Sequence, residues 1–173
     1  MKHIEIIATM VSPMLASSIK PEDGEQATDT FLRDSDNNIL IKQNQLYSML
    51  GSAKAIRSSS INIDSIKFGL AMASGDTEVY LRSYRTDGQL KYRKHESVPI
   101  GKEIRLRMYI PDKITLEDVA ELFECAGGYV GLSPYGHRFG FGRFNVTGIS
   151  EVADLHDLGS VEPDLGAWVP GQK

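Results

Sequence analysis

One cysteine in 173 residues, Cys125, excludes a disulfide within the chain. That count fits a reducing compartment, and a cytoplasmic location is expected. No apolar run approaches the length that crosses a bilayer. The first, Ile4 to Val11, contains Glu5 and is too short and too poorly flanked for a signal peptide. No membrane partner is expected. Catalytic motifs are scarce as well. There is no Gly-x-Ser-x-Gly elbow, no Walker loop and no dinucleotide fingerprint. The one glycine-rich segment follows a helical pattern and precedes a strand, the wrong order for a Rossmann phosphate loop. His156 lies near Asp154 and Asp157, but without zinc-site spacing. Neither a metal nor a cofactor is expected.

What is present is enough for one domain with room for an insertion. Hydrophobic residues make up 41% of the chain and charged residues 24%. The net charge of −4 argues by itself against a polyanionic partner. Its distribution points the other way. Glu22 to Asp36 holds six acidic residues and one arginine, and Ser150 to Lys173 holds five acidic residues and one lysine. Arg82 to Arg107 holds eight basic residues against Asp87, Glu96 and Glu103. A basic middle lies between acidic flanks. A solvated hairpin of mixed charge would read the same way.

The apolar periodicity predicts a strand over His3 to Val11, buried on both faces, then a long polar loop over Ser17 to Thr30. Phe31–Arg33 and Ile39–Ile41 flank a cluster of turn formers and read as a short hairpin. Asn44 is placed to cap a helix running to Ile56, with Leu46, Met49, Leu50, Ala53 and Ile56 on its core face. Strand material follows at Ile61, Ile63 and Ile66–Met72. Thr77–Tyr84 and Leu90–His95 surround Thr86-Asp87-Gly88, a strong hairpin signal. Ile104, Leu106, Met108 and Ile110 alternate with Arg105, Arg107 and Tyr109, giving one apolar face and one basic, aromatic face. Thr115 caps a second helix, with Asp118 at the capping-box position and Gly127-Gly128 as its stop. Phe141–Ile149 is the last strand. With the two hairpins removed, the order is β-α-β-β-α-β, the ferredoxin-like pattern. The expected fold class is α+β, with a ferredoxin-like domain over 1–150, a hairpin inserted at about 77–96 and an acidic tail over 151–173.

The most informative stretch is residues 127 to 148, where seven of 22 residues are glycine. Average usage would give about one or two. Glycine permits positive φ and close approach of the backbone to a ligand or another chain. Tyr129, Tyr135, His137, Arg138, Phe139, Phe141, Arg143 and Phe144 are interleaved with the glycines. Cations reach phosphates and aromatic faces stack on bases, so a single-stranded nucleic-acid surface fits this composition. The same residues also fit a tight turn with core aromatics.

The stretch AGGYVGLSPYGHRFGFGRFNV, after an amphipathic helix, resembles the terminal glycine-rich segment of RAMP proteins. These are the ferredoxin-like proteins that form the backbone of CRISPR effector complexes and process their RNA. IIATMVSPML, followed by TFLRDSDNNILIKQNQLYSMLGSAKAI, resembles the opening of phage-encoded proteins of this type. The resemblance covers the two ends of the chain well and the middle poorly. Gly131, Gly140, Gly142 and Arg143-Phe144 match best. The resemblance implies subunits stacked along an RNA or another strand, with an inserted β-hairpin acting as a thumb between neighbouring nucleotides.

The expected function is therefore non-catalytic binding of single-stranded nucleic acid, RNA more than DNA, by a self-assembling protein. The residues expected to carry it are Arg82, Arg85, Lys91, Arg93 and Lys94 on the hairpin and Arg105 and Arg107 on the basic strand face. Tyr135, His137, Arg138 and Arg143 join them from the glycine-rich loop. Two alternatives stand beside it. One is an assembly module that packs on CRISPR-type complexes without nucleic acid, in keeping with the acidic surface. The other is a metal-independent endoribonuclease. His3, His95 and His137 are its candidate acid–base groups, with His137 the one that sits in the loop.

Overall fold

The alternation of apolar and polar residues at the start of the chain becomes the central strand, β1 (Lys2–Met10). Ile4, Ile6, Ala8 and Met10 are buried on one face. In this computed structural model, which describes residues 1–17, 28–132 and 139–153, β1 runs antiparallel to two neighbours. These are β8 (Glu103–Ile110) and β9 (Phe144–Glu151). Before them come β2 (Met14–Leu15), β3 (Thr28–Asp29), β4 (Ile39–Leu40), α1 (Gln43–Arg57) and β5 (Lys67–Ala73). A hairpin of β6 (Glu78–Thr86) and β7 (Gln89–Val98) separates β5 from β8, and α2 (Leu116–Cys125) lies between β8 and β9.

The main sheet has the order β4-β5-β8-β1-β9. The chain order β1-α1-β5-β8-α2-β9 gives βαββαβ, with core strands lying fourth, first, third, second across the sheet. This antiparallel arrangement is compatible with the expected ferredoxin-like core. Ile104, Leu106, Met108 and Ile110 are fully buried. They share one core with Leu46, Met49, Leu50 and Ala53 of α1 and Val119, Leu122 and Phe123 of α2. Phe68 bridges the layers, edge-on to both Tyr47 and Phe123, with ring centroids 5.4 and 6.4 Å away.

Several boundaries differ from the sequence reading. α1 begins one residue before Asn44, and the position ahead of it, Lys42, makes no side-chain cap. Ile56 is 49% exposed, so the core stripe stops at Ala53. Ile63–Ser65 is a single 3₁₀ turn rather than strand, because the Asn62 side chain accepts from the Asp64 N–H at 3.1 Å. Thr115 caps α2 as expected, accepting from the Asp118 N–H at 3.1 Å. Gly127-Gly128 does not end that helix. The backbone widens into a π turn over Ala126–Val130 and stops at Gly131, whose φ is 88°. The last strand starts at Phe144 rather than Phe141.

Gly131 and Gly142 explain that shift. Leu132 N–H donates to Gly142 O at 2.8 Å, and Gly142 N–H donates to Pro13 O at 2.7 Å. A Cβ on Gly131 would lie 2.4 Å from Phe141 O, and one on Gly142 would lie 2.4 Å from Leu132 O. The two backbones cross where only hydrogen fits. The glycines serve the protein's own packing here, one of the two readings open from composition. Gly140, with φ 80°, has open space where a Cβ would be. Gly131→Ala and Gly142→Ala should each destabilise the fold by about 2 kcal/mol or more, through both backbone conformation and clash. Gly140→Ala should cost only the conformational part, about 1 kcal/mol. Urea unfolding midpoints at constant m-value measure the difference.

Candidate nucleic-acid interface

β6 and β7 pair from Glu78–Ser97 to Thr86–Gln89 and close through Asp87 and Gly88, with φ of 51° and 76°. Two consecutive left-handed residues form the two-residue turn that matches strand twist. The second edge of β7 is covered only at its root, by β2 at Ser97–Val98 and by β3 at Lys94–His95. Beyond Lys94, among the described residues, the hairpin is a two-stranded ribbon.

Strand alternation divides the expected hairpin cations between two faces. Arg82, Lys91 and Arg93 share one face with Tyr80, Tyr84 and His95. Arg85 and Lys94 share the other with Val79, Leu81, Leu90 and Tyr92, which are 67, 56, 50 and 43% exposed. The side chains of Arg85, Lys91 and Lys94 make no hydrogen bond or ion pair to a described residue.

Arg82 and Arg93 are engaged inside the protein. Arg93 holds the buried Asp29 carboxylate through two bonds, Nε at 2.9 Å and Nη2 at 2.6 Å. Arg82 Nε donates to His95 Nε2 at 3.1 Å, and its guanidinium lies over the Tyr84 ring. On the other side of the ring, His95 Nδ1 is 2.7 Å from Ala16 O and 3.3 Å from Asp29 Oδ2. An arginine can only donate, so Nε2 accepts and the proton is on Nδ1. His95 is therefore a neutral, fully buried imidazole. Burial lowers its pKa below the ordinary 6.5, and nearby Arg82 and Arg93 push in the same direction. It cannot reach a substrate.

Glu96, next in sequence, ties the other side of the root. It accepts from Phe31 N–H at 2.9 Å, from Thr77 Oγ1 at 2.8 Å and from Arg33. Burial alone would raise its pKa, but the hydrogen bonds from Phe31, Thr77 and Arg33 outweigh it, and the net shift is downward. Sequence reasoning missed these roles: Asp29 fell in the stretch read as a long polar loop, and no local pattern joins Arg33 to Glu96, 63 positions away.

The remaining expected residues lie on the outer face of the main sheet or at its end. Arg107 Nε donates to Glu5 at 2.8 Å, and Arg105 stands 3.8 Å from the same carboxylate, 49% exposed. They border a groove of about 660 Å³ that also meets Ile7, Met72 and the Asp34–Asn38 turn. His3, another acid–base candidate, is buried, stacked on Tyr109 at 4.5 Å, with Nδ1 3.1 Å from Ala153 O. Arg143 Nη1 donates to Gly128 O, and its backbone N–H donates to Ser12 Oγ at 2.9 Å. Tyr135, His137 and Arg138 lie outside the described residues. The glycine segment meets the hairpin through Phe141, edge-on to Tyr80 at 5.2 Å. Among the described residues, no group of three or more His, Cys, Asp or Glu could hold a metal. No helix among them is long and apolar enough to cross a membrane.

No protein-family model matches the sequence, and no curated protein matches it. The fold does have a solved counterpart, a chain in the "Cryo-EM structure of the Type III-B Cmr-beta bound to cognate target RNA". The two align with a TM-score of 0.63 over 87% of this chain, at 12% identity. What the two share is a fold, one compatible with the ferredoxin-like pattern expected from the sequence. This chain spans 60% of the length of its counterpart, so the likeness is to part of that chain and is one of fold.

Removing one partner of the buried pair isolates the other charge. Asp29→Ala should therefore cost about 3 kcal/mol in unfolding free energy. The His95 contribution has a defined pH window. The unfolded chain takes up a proton near pH 6.5 and the folded chain only at lower pH, so stability is full above 6.5 and falls as pH drops below it. His95→Asn, which retains a donor toward Ala16, should flatten that loss between about pH 7 and pH 5 in thermal unfolding. Glu96 contributes a separate loss, below its ordinary 4.5.

Proposed function

We propose that this protein is a non-catalytic binder of single-stranded nucleic acid, RNA in preference to DNA, acting within an assembly that includes copies of itself. The observation that carries the reading is the β6–β7 ribbon. It projects past its flanking strands with Arg85, Lys91 and Lys94 unengaged and with Leu81, Leu90 and Tyr92 exposed. Cations for phosphates, together with an aromatic and two aliphatic side chains for base faces, are what a sequence-tolerant single-strand site uses. The RAMP-like fold adds weight, since its solved counterpart belongs to a complex bound to target RNA. A phage origin belongs to the same proposal and rests on the likeness of residues 6–15 and 30–56.

The expected interface residues take different roles. Arg85, Lys91 and Lys94 contact the strand, and Arg105, beside its groove, extends the path along the sheet. Arg82, Arg93 and Arg107 hold the scaffold. Tyr135, His137, Arg138 and Arg143 contribute from the glycine-rich end. Fluorescence anisotropy with single-stranded RNA and DNA tests this. Binding should weaken steeply with salt, and the Arg85→Ala/Lys91→Ala/Lys94→Ala variant should reduce the log–log salt slope by about 2 units, at about 0.7 per phosphate. No binding of either strand at low salt would overturn the reading.

A second reading is favoured by one observation: Val79, Leu81, Leu90 and Tyr92 form an exposed apolar stripe of the kind found at protein contacts. On that reading the chain assembles with protein alone. A defined oligomer in light scattering after nuclease treatment, with no excess absorbance at the nucleic-acid maximum, would distinguish it. The endoribonuclease alternative rests on His137. Full retention of any cleavage by His137→Ala would exclude it.

A further inference from the structure

The two ends of the main sheet are finished differently. At one end β4 is two residues long, and Arg33 bridges to Ile39 beside it. At the other end β9 runs for eight residues, Phe144–Glu151, and among the described residues no strand pairs with its outer edge. Natural edges are commonly guarded by lysine, proline or other charged side chains. The hairpin has such guards, Arg82 and Arg85 on β6 and Lys91, Arg93 and Lys94 on β7. β9 has no basic residue and no proline, and its one charge, Glu151, is its last residue. The acids of α2 do not guard it either. Glu121 bonds Arg57 of α1, and Glu124 lines the same hollow on that side.

The ladder fixes which backbone groups this edge presents. Val152 N–H donates to His3 O at 2.8 Å, and Val11 N–H donates to Arg143 O at 2.9 Å. By alternation, Ser150, Gly148 and Asn145 also turn their N–H and C=O toward β1. Phe144, Val146, Ile149 and Glu151 turn theirs outward. Thr147 is the extra residue at the register shift between Ile7 and Ala8. The outward positions are therefore symmetric about the Thr147–Gly148 bond. When a second β9 is laid antiparallel about that point, Val146 faces the partner's Ile149 and Ile149 faces the partner's Val146. Phe144 meets the partner's Glu151, and Asn145 stands opposite the partner's Ser150. Outward groups meet outward groups along the whole strand. The side-chain faces agree as well: Val146 and Ile149 pack on the core, while Asn145 and Ser150 are exposed on the opposite face. The two Glu151 residues end up about 23 Å apart, so the only charge on the strand does not oppose itself.

We propose that the outer edge of β9 is the contact between two copies of this chain, paired antiparallel about a two-fold axis at Thr147–Gly148 so that two sheets become one. The pairing gives the self-association within the proposed function its surface and rests on that reading only there, since it needs no nucleic acid.

Sedimentation velocity on the nuclease-treated, full-length protein tests it. A concentration-dependent dimer is expected. Asn145→Lys/Ser150→Lys places like charges directly opposite one another and should leave a monomer, and Asn145→Glu/Ser150→Glu should do the same. An equimolar mixture of the two variants should restore the dimer. Amide hydrogen exchange reads the same contact in the wild type, whatever the variants do. The outward N–H groups of Val146 and Ile149 should exchange quickly in dilute protein and become protected as concentration rises, while those of Gly148 and Ser150 stay protected throughout. Four results would overturn the proposal. They are a wild type that is monomeric at every concentration, a dimer that both charge variants retain, folded charge variants whose mixture stays monomeric, and Val146 and Ile149 amides whose exchange does not change with concentration. Absence of the dimer would leave the ribbon's single-strand site untouched. A dimer that binds no single strand would remove that site and leave the pairing.

Discussion

The ionic cluster at the root of the hairpin decides where the ribbon points. Asp29, Arg93, His95, Arg82, Glu96 and Arg33 come from three separate stretches of chain and are buried or nearly so. Two ion pairs form it, Arg93 with Asp29 and Arg33 with Glu96, and the neutral His95 sits between Arg82 and the Ala16 carbonyl. Taking such groups out of water is costly, and the arrangement holds only while every partner is present. Geometry is the return on that cost. A two-stranded ribbon alone is marginal in water, and this one is held by β2 and β3 on its root and by Phe141 against Tyr80.

The same cluster separates two kinds of arginine that look alike in sequence. Arg82 and Arg93 alternate along the strands with Arg85 and Lys94, yet one set faces the body and the other faces outward. On the proposed function, a substitution of Arg93 would weaken binding by loosening the scaffold. One at Arg85 or Lys94 leaves the scaffold intact. Salt dependence distinguishes these two routes where affinity alone does not.

Much of the fold was legible because burial has a period. Ile104, Leu106, Met108 and Ile110 announce their strand, Thr115 and Asp118 announce the start of α2, and Asp87-Gly88 announces the hairpin. Where the reading slipped, local chemistry had competed with pattern. Asn62 turns the chain at a place where isoleucines suggested a strand, and the π turn carries α2 through two glycines that usually stop a helix. The site was less legible. Asp29 and Arg93 are 64 positions apart, and no local pattern joins them. The acidic run read as a polar loop and the basic run as a nucleic-acid surface or a solvated hairpin, although one residue from each is half of a buried pair. The glycine segment was visible at once, but that Gly131 and Gly142 serve a backbone crossing follows only from their neighbours in space.

The position of β1 has a consequence for the order of events in folding. Residues 2–10 form the centre of the main sheet, yet their two partners are residues 103–110 and 144–151. During synthesis the first strand emerges with an apolar face and no neighbour, and it waits for most of the chain before either edge can be paired. Contacts this distant along the chain favour slow closure. The hairpin, by contrast, is entirely local and can begin to pair early, although it gains its supports only later. The part of the molecule that reaches outward can thus be assembled before the sheet that supports it, and the unpaired first strand is the segment most exposed to misassociation or to a chaperone in the interval.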